Sequence, residues 1–186
     1  MELKFHYFKG YNMSFLQYFK NLSSSTGNEA LNCSELEKVM QTYFPDLPET
    51  ELAKLSCVAG LLTRVAYVDL DISQDEQQSI AENLVFFLEL DEETALKVRD
   101  IAVKNIVQLK GLQNHRYSKA INELMNQDER YKLLELLFAV AASDGNADQL
   151  ESEEIRVITK ELKLEHQHYI SARASVLKHL GALKKS

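Results

Sequence analysis

The sequence predicts an all-α protein of seven to eight helices, in which two related helical halves form one bundle-like domain. The 186 residues include only two Pro and six Gly, so few residues interrupt helices. Apolar residues recur at helical spacing, and no segment shows the sustained alternation of a half-buried strand. An acidic pattern also occurs twice, 75 residues apart, which indicates an internal duplication.

The N-terminal part of the chain is rich in aromatic residues. We assign residues 1–33 to an aromatic segment with a linker, and residues 34–182 to the helical domain. Four residues of the segment follow helical spacing, namely Phe15, Tyr18, Phe19 and Leu22. We expect a short helix that packs on the body of the protein. Membrane-surface contact through residues 5–22 is the weaker alternative, because Lys9 and Lys20 are too few to form a basic polar face.

The helical domain divides into segments with recognisable start signals. Ser34 and Glu37 have the spacing of a capping box, and Asp128 is a candidate N-cap further along. The predicted helices cover about residues 34–44, 50–68, 74–90, 91–109, 117–125, 128–143, 149–163 and 166–180. Residues 50–109 and 128–180 are the two copies of the repeat.

Charge and composition narrow the classes of function. The net charge of −7 argues against nucleic acid as a partner, since binding it requires a basic face, and favours cations or an unknown protein partner with a basic surface. The sequence contains no transmembrane segment and no signal peptide, so we expect a cytoplasmic protein. No nucleophile, phosphate-binding glycine loop or substrate pocket is indicated, and we expect a protein that is not an enzyme.

Each copy of the repeat contains an acidic turn between two helices. Asp69 precedes Glu76 by seven residues in the first turn, and Asp144 precedes Glu151 by seven residues in the second. Each Asp continues the apolar face of the helix before it, and each Glu begins the apolar face of the helix after it. We therefore expect these four carboxylates to point inward.

Two interpretations of the acidic turns are open. In the first, the turns only cap helices, because Ser73 with Glu76 and Asp148 with Glu151 have capping-box spacing. In the second, the turns bind a divalent cation such as Ca²⁺, Mg²⁺, Mn²⁺ or Zn²⁺ through carboxylate oxygens. The candidate metal ligands are Asp69, Asp71, Glu76, Asp144, Asp148 and Glu151.

Neither turn is an EF-hand loop. Gln74 and Gln149 occupy the loop position that requires Gly, and Ile80 and Ile155 replace the final bidentate Glu. Each turn alone would bind a cation weakly. A strong site therefore requires the two turns to meet and combine their carboxylates.

The repeated pattern resembles that of the tellurite-resistance TerB family. The stretch from Ala141 through Asp144-Gly145 to Glu151 and Ile155 is similar to the family motif. The stretch from Ala66 through Asp69 to Glu76 and Ile80 is similar too, except that Leu70 stands in place of Gly. The resemblance covers about residues 50–180.

The resemblance implies an all-helical fold, a cytoplasmic location and an association with stress or tellurite resistance. It also implies a metal site of clustered acidic residues, carried over to Asp69, Glu76, Asp144 and Glu151, and less directly to Asp71 and Asp148. The alternative is a protein–protein interaction scaffold in which the acidic turns are only helix caps. Leu70 departs from the family pattern because Gly permits backbone angles that Leu does not.

Overall fold

The computed structural model describes residues 30–106, 115–143 and 148–183. Within those ranges it contains eight helices and no strand, which confirms the predicted all-α fold. The helices are α1 (Ala30–Tyr43), α2 (Glu49–Ala66), α3 (Gln74–Leu88), α4 (Glu92–Asn105), α5 (His115–Leu124), α6 (Gln127–Ala141), α7 (Gln149–Glu161) and α8 (His166–Leu183). Asp144 and the aromatic residues 5–22 lie outside the described residues.

Helix α2 is the centre of the fold. It is buried along most of its length and packs against α1, α3, α4, α5, α6 and α7. Gly60 allows α5 to approach α2 closely, because a Cβ atom at this position would lie only 2.7 Å from Cζ of Tyr117. A central helix surrounded on all sides explains why the apolar residues of α2 extend around the helix rather than along one stripe.

Several helix ends differ from the predicted ones. Helix α1 begins at Ala30, so Ser34 lies inside the helix and the predicted Ser34–Glu37 capping box is wrong. Helix α6 is capped by Asn126, whose Oδ1 accepts the N–H of Glu129 at 3.0 Å, rather than by Asp128. These errors arise because several polar residues near each boundary can cap a helix, and tertiary packing selects among them.

The two halves are related in space as they are in sequence. Under the shift of 75 residues, Lys54 of α2 corresponds to Glu129 of α6, and these two residues form an ion pair at 3.1 Å. Contacts between other helices exchange under the same shift: Arg64 of α2 pairs with Glu154 of α7, and Ser79 of α3 donates to the carbonyl of Ala139 of α6. We infer an approximate twofold axis near Lys54 and Glu129, with α2, α3 and α4 equivalent to α6, α7 and α8.

Candidate functional site

The first acidic turn joins α2 to α3 and is held by side chain to backbone hydrogen bonds. Oδ1 of Asp69 accepts the N–H of Asp71 at 3.0 Å, and Oδ1 of Asp71 accepts the N–H of Ile72 at 2.9 Å. Both Asp side chains are exposed. The expected inward direction of Asp69 is therefore wrong, because α2 ends at Ala66 and its helical periodicity does not reach position 69.

Leu70 adopts the left-handed backbone conformation that favours glycine. Its φ is 78°, its N–H donates to the carbonyl of Tyr67 at 3.1 Å, and 65% of its surface is exposed. Position 70 corresponds to Gly145 in the second copy, where glycine is the residue suited to this conformation. The first turn thus keeps the left-handed geometry despite the loss of glycine.

Capping boxes follow both acidic turns, as the sequence predicts. At the start of α3, Glu76 Oε2 accepts the N–H of Ser73 at 2.7 Å, and Ser73 Oγ accepts the N–H of Glu76 at 3.2 Å. At the start of α7, Glu151 Oε2 accepts the N–H of Asp148 at 2.9 Å, and Asp148 Oδ1 accepts the N–H of Glu151 at 2.8 Å. Three of the candidate metal ligands are therefore engaged with backbone amides.

The two glutamates of the capping boxes differ in burial. Glu151 is 8% exposed and faces inward as expected, whereas Glu76 is only half-buried. Asp148 lies at the surface. A carboxylate at the first turn of a helix is stabilised by the unpaired amides and by the helix dipole, so Glu151 tolerates its burial.

Convergence of the carboxylates would favour a metal site. Within residues 30–106, 115–143 and 148–183, no group of three or more His, Cys, Asp or Glu side chains is placed to hold a metal ion. Asp144, one of the six candidate ligands, lies outside those ranges. The described carboxylates of the two turns therefore form no metal centre among themselves.

An ion pair that the sequence did not predict links the two halves close to the turns. Nε of Arg64, in the last turn of α2, lies 2.9 Å from Oε1 of Glu154, on the turn of α7 that follows the capping box. Both side chains are mostly buried. A cation in the last turn of α2 offsets the negative end of the helix dipole, beside the turn that carries Asp69 and Asp71. The basic residue one turn before Asp69 was the available sequence signal.

The acidic side chains are distributed unevenly. The stretch 65–96 contains no Lys or Arg and nine of the chain's 28 acidic residues, which leaves 19 acidic against 21 basic residues elsewhere. At its C-terminal end, Asp91 accepts both the N–H and the hydroxyl of Thr94, and these hydrogen bonds lower the pKa of Asp91. The negative charge of the protein is thus concentrated around the first turn, α3 and the start of α4.

The Glu165–His168 pair, whose spacing also occurs in metal sites, is a local helix-end contact. Nδ1 of His168 accepts the backbone N–H of Glu165 at 3.0 Å at the start of α8. The His168 ring also contacts Tyr131 edge to face, with 5.8 Å between ring centroids. This histidine caps a helix.

Comparison with known proteins supports one family. The model of the family described as "Tellurite resistance protein TerB" matches residues 55–174, well over half of the chain. No curated protein and no solved structure matches. Among the described helices, none is both long and apolar enough to cross a membrane.

Proposed function

Because this chain belongs to the tellurite resistance protein TerB family, we propose that it is a cytoplasmic, non-enzymatic binding protein associated with resistance to tellurite or a related stress. In this proposal the acidic turns chiefly fix the helices, and the acidic surface around α3 binds a protein partner with a basic face. The observation that carries the proposal is the pair of capping boxes. In both halves, the carboxylates at the start of the second helix accept backbone amides.

The charge distribution supports a basic partner. Helix α3 contains acidic residues and no Lys or Arg, and Asp75, Glu82 and Glu89 are exposed on it or at its end. Complementary charge increases the rate of encounter and disfavours partners with the same charge. An acidic helix face presented to solvent therefore selects for basic protein surfaces.

Crosslinking with mass spectrometry, in cells that carry the chain and are exposed to tellurite, tests this proposal. We expect specific crosslinks to a basic protein that weaken in the variant Glu82→Lys. The control is Glu123→Lys, which makes the same charge change at an exposed position on α5. No specific crosslink with the unmodified chain, or equal loss with both variants, would contradict the proposal.

A divalent cation at the first turn is the second candidate function. Asp69 and Asp71 are exposed, and each uses Oδ1 for a backbone hydrogen bond, which leaves the second oxygen of each carboxylate for an ion. Carboxylate oxygens fit Ca²⁺ or Mg²⁺, and Mn²⁺ and Zn²⁺ also accept such ligands. Asp144 would add a ligand from the second copy.

Thermal melts and isothermal titration with Ca²⁺, Mg²⁺, Mn²⁺ and Zn²⁺ test the cation site. A bound ion raises the melting temperature, because it binds the folded state only. The double variant Asp69→Asn with Asp71→Asn keeps side-chain oxygens for the turn but removes both charges, so it should lose the shift. Asp75→Asn, an exposed neighbour in the first turn of α3, should retain it. The absence of heat and of a melting shift at millimolar ion would exclude this candidate.

A further inference from the structure

Phe86 on α3 is the most exposed of the large hydrophobic side chains that the structure describes, with 77% of its surface in contact with solvent. It lies on the outer face of the helix, together with the exposed residues Asp75, Gln78 and Glu82. Full burial of such a side chain is worth about 1.5–3 kcal/mol. The position of this phenylalanine relative to the repeat indicates what covers it.

The equivalent position in the second half is occupied and covered. Phe86 corresponds to Glu161 at the end of α7 under the shift of 75 residues. Helix α5 covers Glu161: Ser118 Oγ donates to Glu161 Oε2 at 3.2 Å, and Asn122 Nδ2 donates to the Glu161 carbonyl at 2.8 Å. The same helix packs closely on α2 through Tyr117. Helix α5 therefore lies in a groove between α2 and α7.

The corresponding groove of the first half lies between α6 and α3. Helix α1 precedes α2 as α5 precedes α6, but α1 packs on α2 and α4 instead of entering this groove. Phe86 borders the groove on α3, and Glu135, the equivalent of Gly60, borders it on α6. In the part of the chain that the structure describes, the place equivalent to that of α5 is open.

We propose that the aromatic segment of residues 5–22 of the same chain docks in the α3–α6 groove and covers Phe86. Its apolar residues are suited to the site, since Phe15, Tyr18, Phe19 and Leu22 would share one face of a helix. An aromatic side chain packed against Phe86 adds an aromatic pair to the apolar area buried.

Charge favours the same placement. Residues 1–22 contain three basic residues, Lys4, Lys9 and Lys20, and one acidic residue, Glu2. Helix α3 offers only acidic charged side chains. Attraction between the two is strongest at low ionic strength, because the Debye length is about 8 Å at 0.15 M salt.

The connecting chain is long enough. Residues 23–29 precede α1, and seven residues span up to about 25 Å when extended. Packed helices lie about 8–10 Å apart, so this length covers two helix-packing distances. The docked segment lies farther from α6 than α5 lies from α2, because the glutamate at 135 replaces the glycine that permits the close approach of α5.

Tryptophan fluorescence in the full chain tests the docking. The chain has no Trp, so Phe15→Trp introduces a single reporter. We expect blue-shifted emission that is shielded from acrylamide, and a loss of that shielding when Phe86→Glu is added. The matched control is Ile170→Glu on α8, which places the same charge at a residue 46% exposed and should leave the emission unchanged.

Three results would overturn the proposal. The introduced tryptophan would be accessible to acrylamide before Phe86 is changed, or its shielding would survive Phe86→Glu, or both glutamate variants would expose it equally. Light scattering in parallel measures the mass of the protein. Shielding that appears only with a concentration-dependent dimer would assign the groove to a second copy of the chain and refute docking of its own segment.

Discussion

The left-handed conformation of Leu70 predicts that glycine is more stable than alanine at this position. A non-glycine residue in this region costs about 1–2 kcal/mol relative to the right-handed conformations. Glycine removes that strain but increases the conformational entropy of the unfolded chain, which costs about 0.4–1 kcal/mol. The variants Leu70→Gly and Leu70→Ala lose nearly the same side chain, which is 65% exposed. We therefore expect the glycine variant to be more stable by about 0.5–1 kcal/mol.

A helical position provides the matched control. Val157 is 39% exposed on α7, well inside the helix. There, glycine is less favourable than alanine by about 0.8–1 kcal/mol, because it loses more backbone freedom on folding. The difference between the glycine and alanine variants should thus have opposite signs at positions 70 and 157.

Urea denaturation followed by circular dichroism measures both differences. For a protein of this length, 1 kcal/mol corresponds to a change of about 2–4 °C in melting temperature, so thermal melts provide an independent check. If Leu70→Ala is at least as stable as Leu70→Gly, residue 70 is not left-handed. The inference that the first turn keeps the geometry favoured by Gly145 would then be wrong.

Two further predictions concern the packing of the helices. Gly60→Ala should lower the melting temperature, because the new Cβ would lie 2.7 Å from Cζ of Tyr117, and overpacking of this kind typically costs 1–3 kcal/mol; calorimetry that finds a rise, as helix propensity alone would give, would contradict the close contact of α5 and α2. Glu37 is 4% exposed, and burial, together with the nearby Glu49, raises its pKa from 4.5 to about 8. The folded state therefore binds this proton more tightly than the unfolded state, so its stabilisation is complete below about pH 4.5 and is lost as the pH rises towards 8, by at most about 1.4 kcal/mol per pH unit. Denaturation between pH 5 and 8 should show a smaller decrease for Glu37→Gln than for the unmodified chain, and parallel curves would refute the burial of a proton at this carboxyl.

The sequence predicted the helices and the capping boxes because both leave local patterns. Apolar residues at helical spacing mark each helix, and the three-residue interval from Ser73 to Glu76, or from Asp148 to Glu151, positions a side chain over the free amides of one helical turn. These interactions form between residues close in the chain. The duplication was also visible, since it repeats the same local signals after 75 residues.

The features that the sequence did not predict depend on tertiary contacts. Ser34 and Glu37 have the interval of a capping box, but Glu37 is buried and α1 begins further upstream, at Ala30. Asp69 fits the apolar face of α2 by periodicity, but the helix ends before it. The exposure of Phe86 depends on where α1 packs, and no local pattern encodes that choice.

The central claim is that the acidic residues of the turns act mainly through hydrogen bonds to backbone amides rather than through a bound cation. Asp148 and Glu151 allow a direct test, because Asn and Gln are also good capping residues but lack the charge that a cation requires. The measurement is the free energy of unfolding, with a chelator present, of Asp148→Asn combined with Glu151→Gln and of Asp148→Ala combined with Glu151→Ala. We predict that the alanine pair loses about 1–3 kcal/mol, from the lost cap and its hydrogen bonds, while the Asn and Gln pair keeps most of that stability. Equal losses in the two pairs would contradict the capping role, as would a wild-type protein that the chelator alone destabilises to the level of the alanine pair.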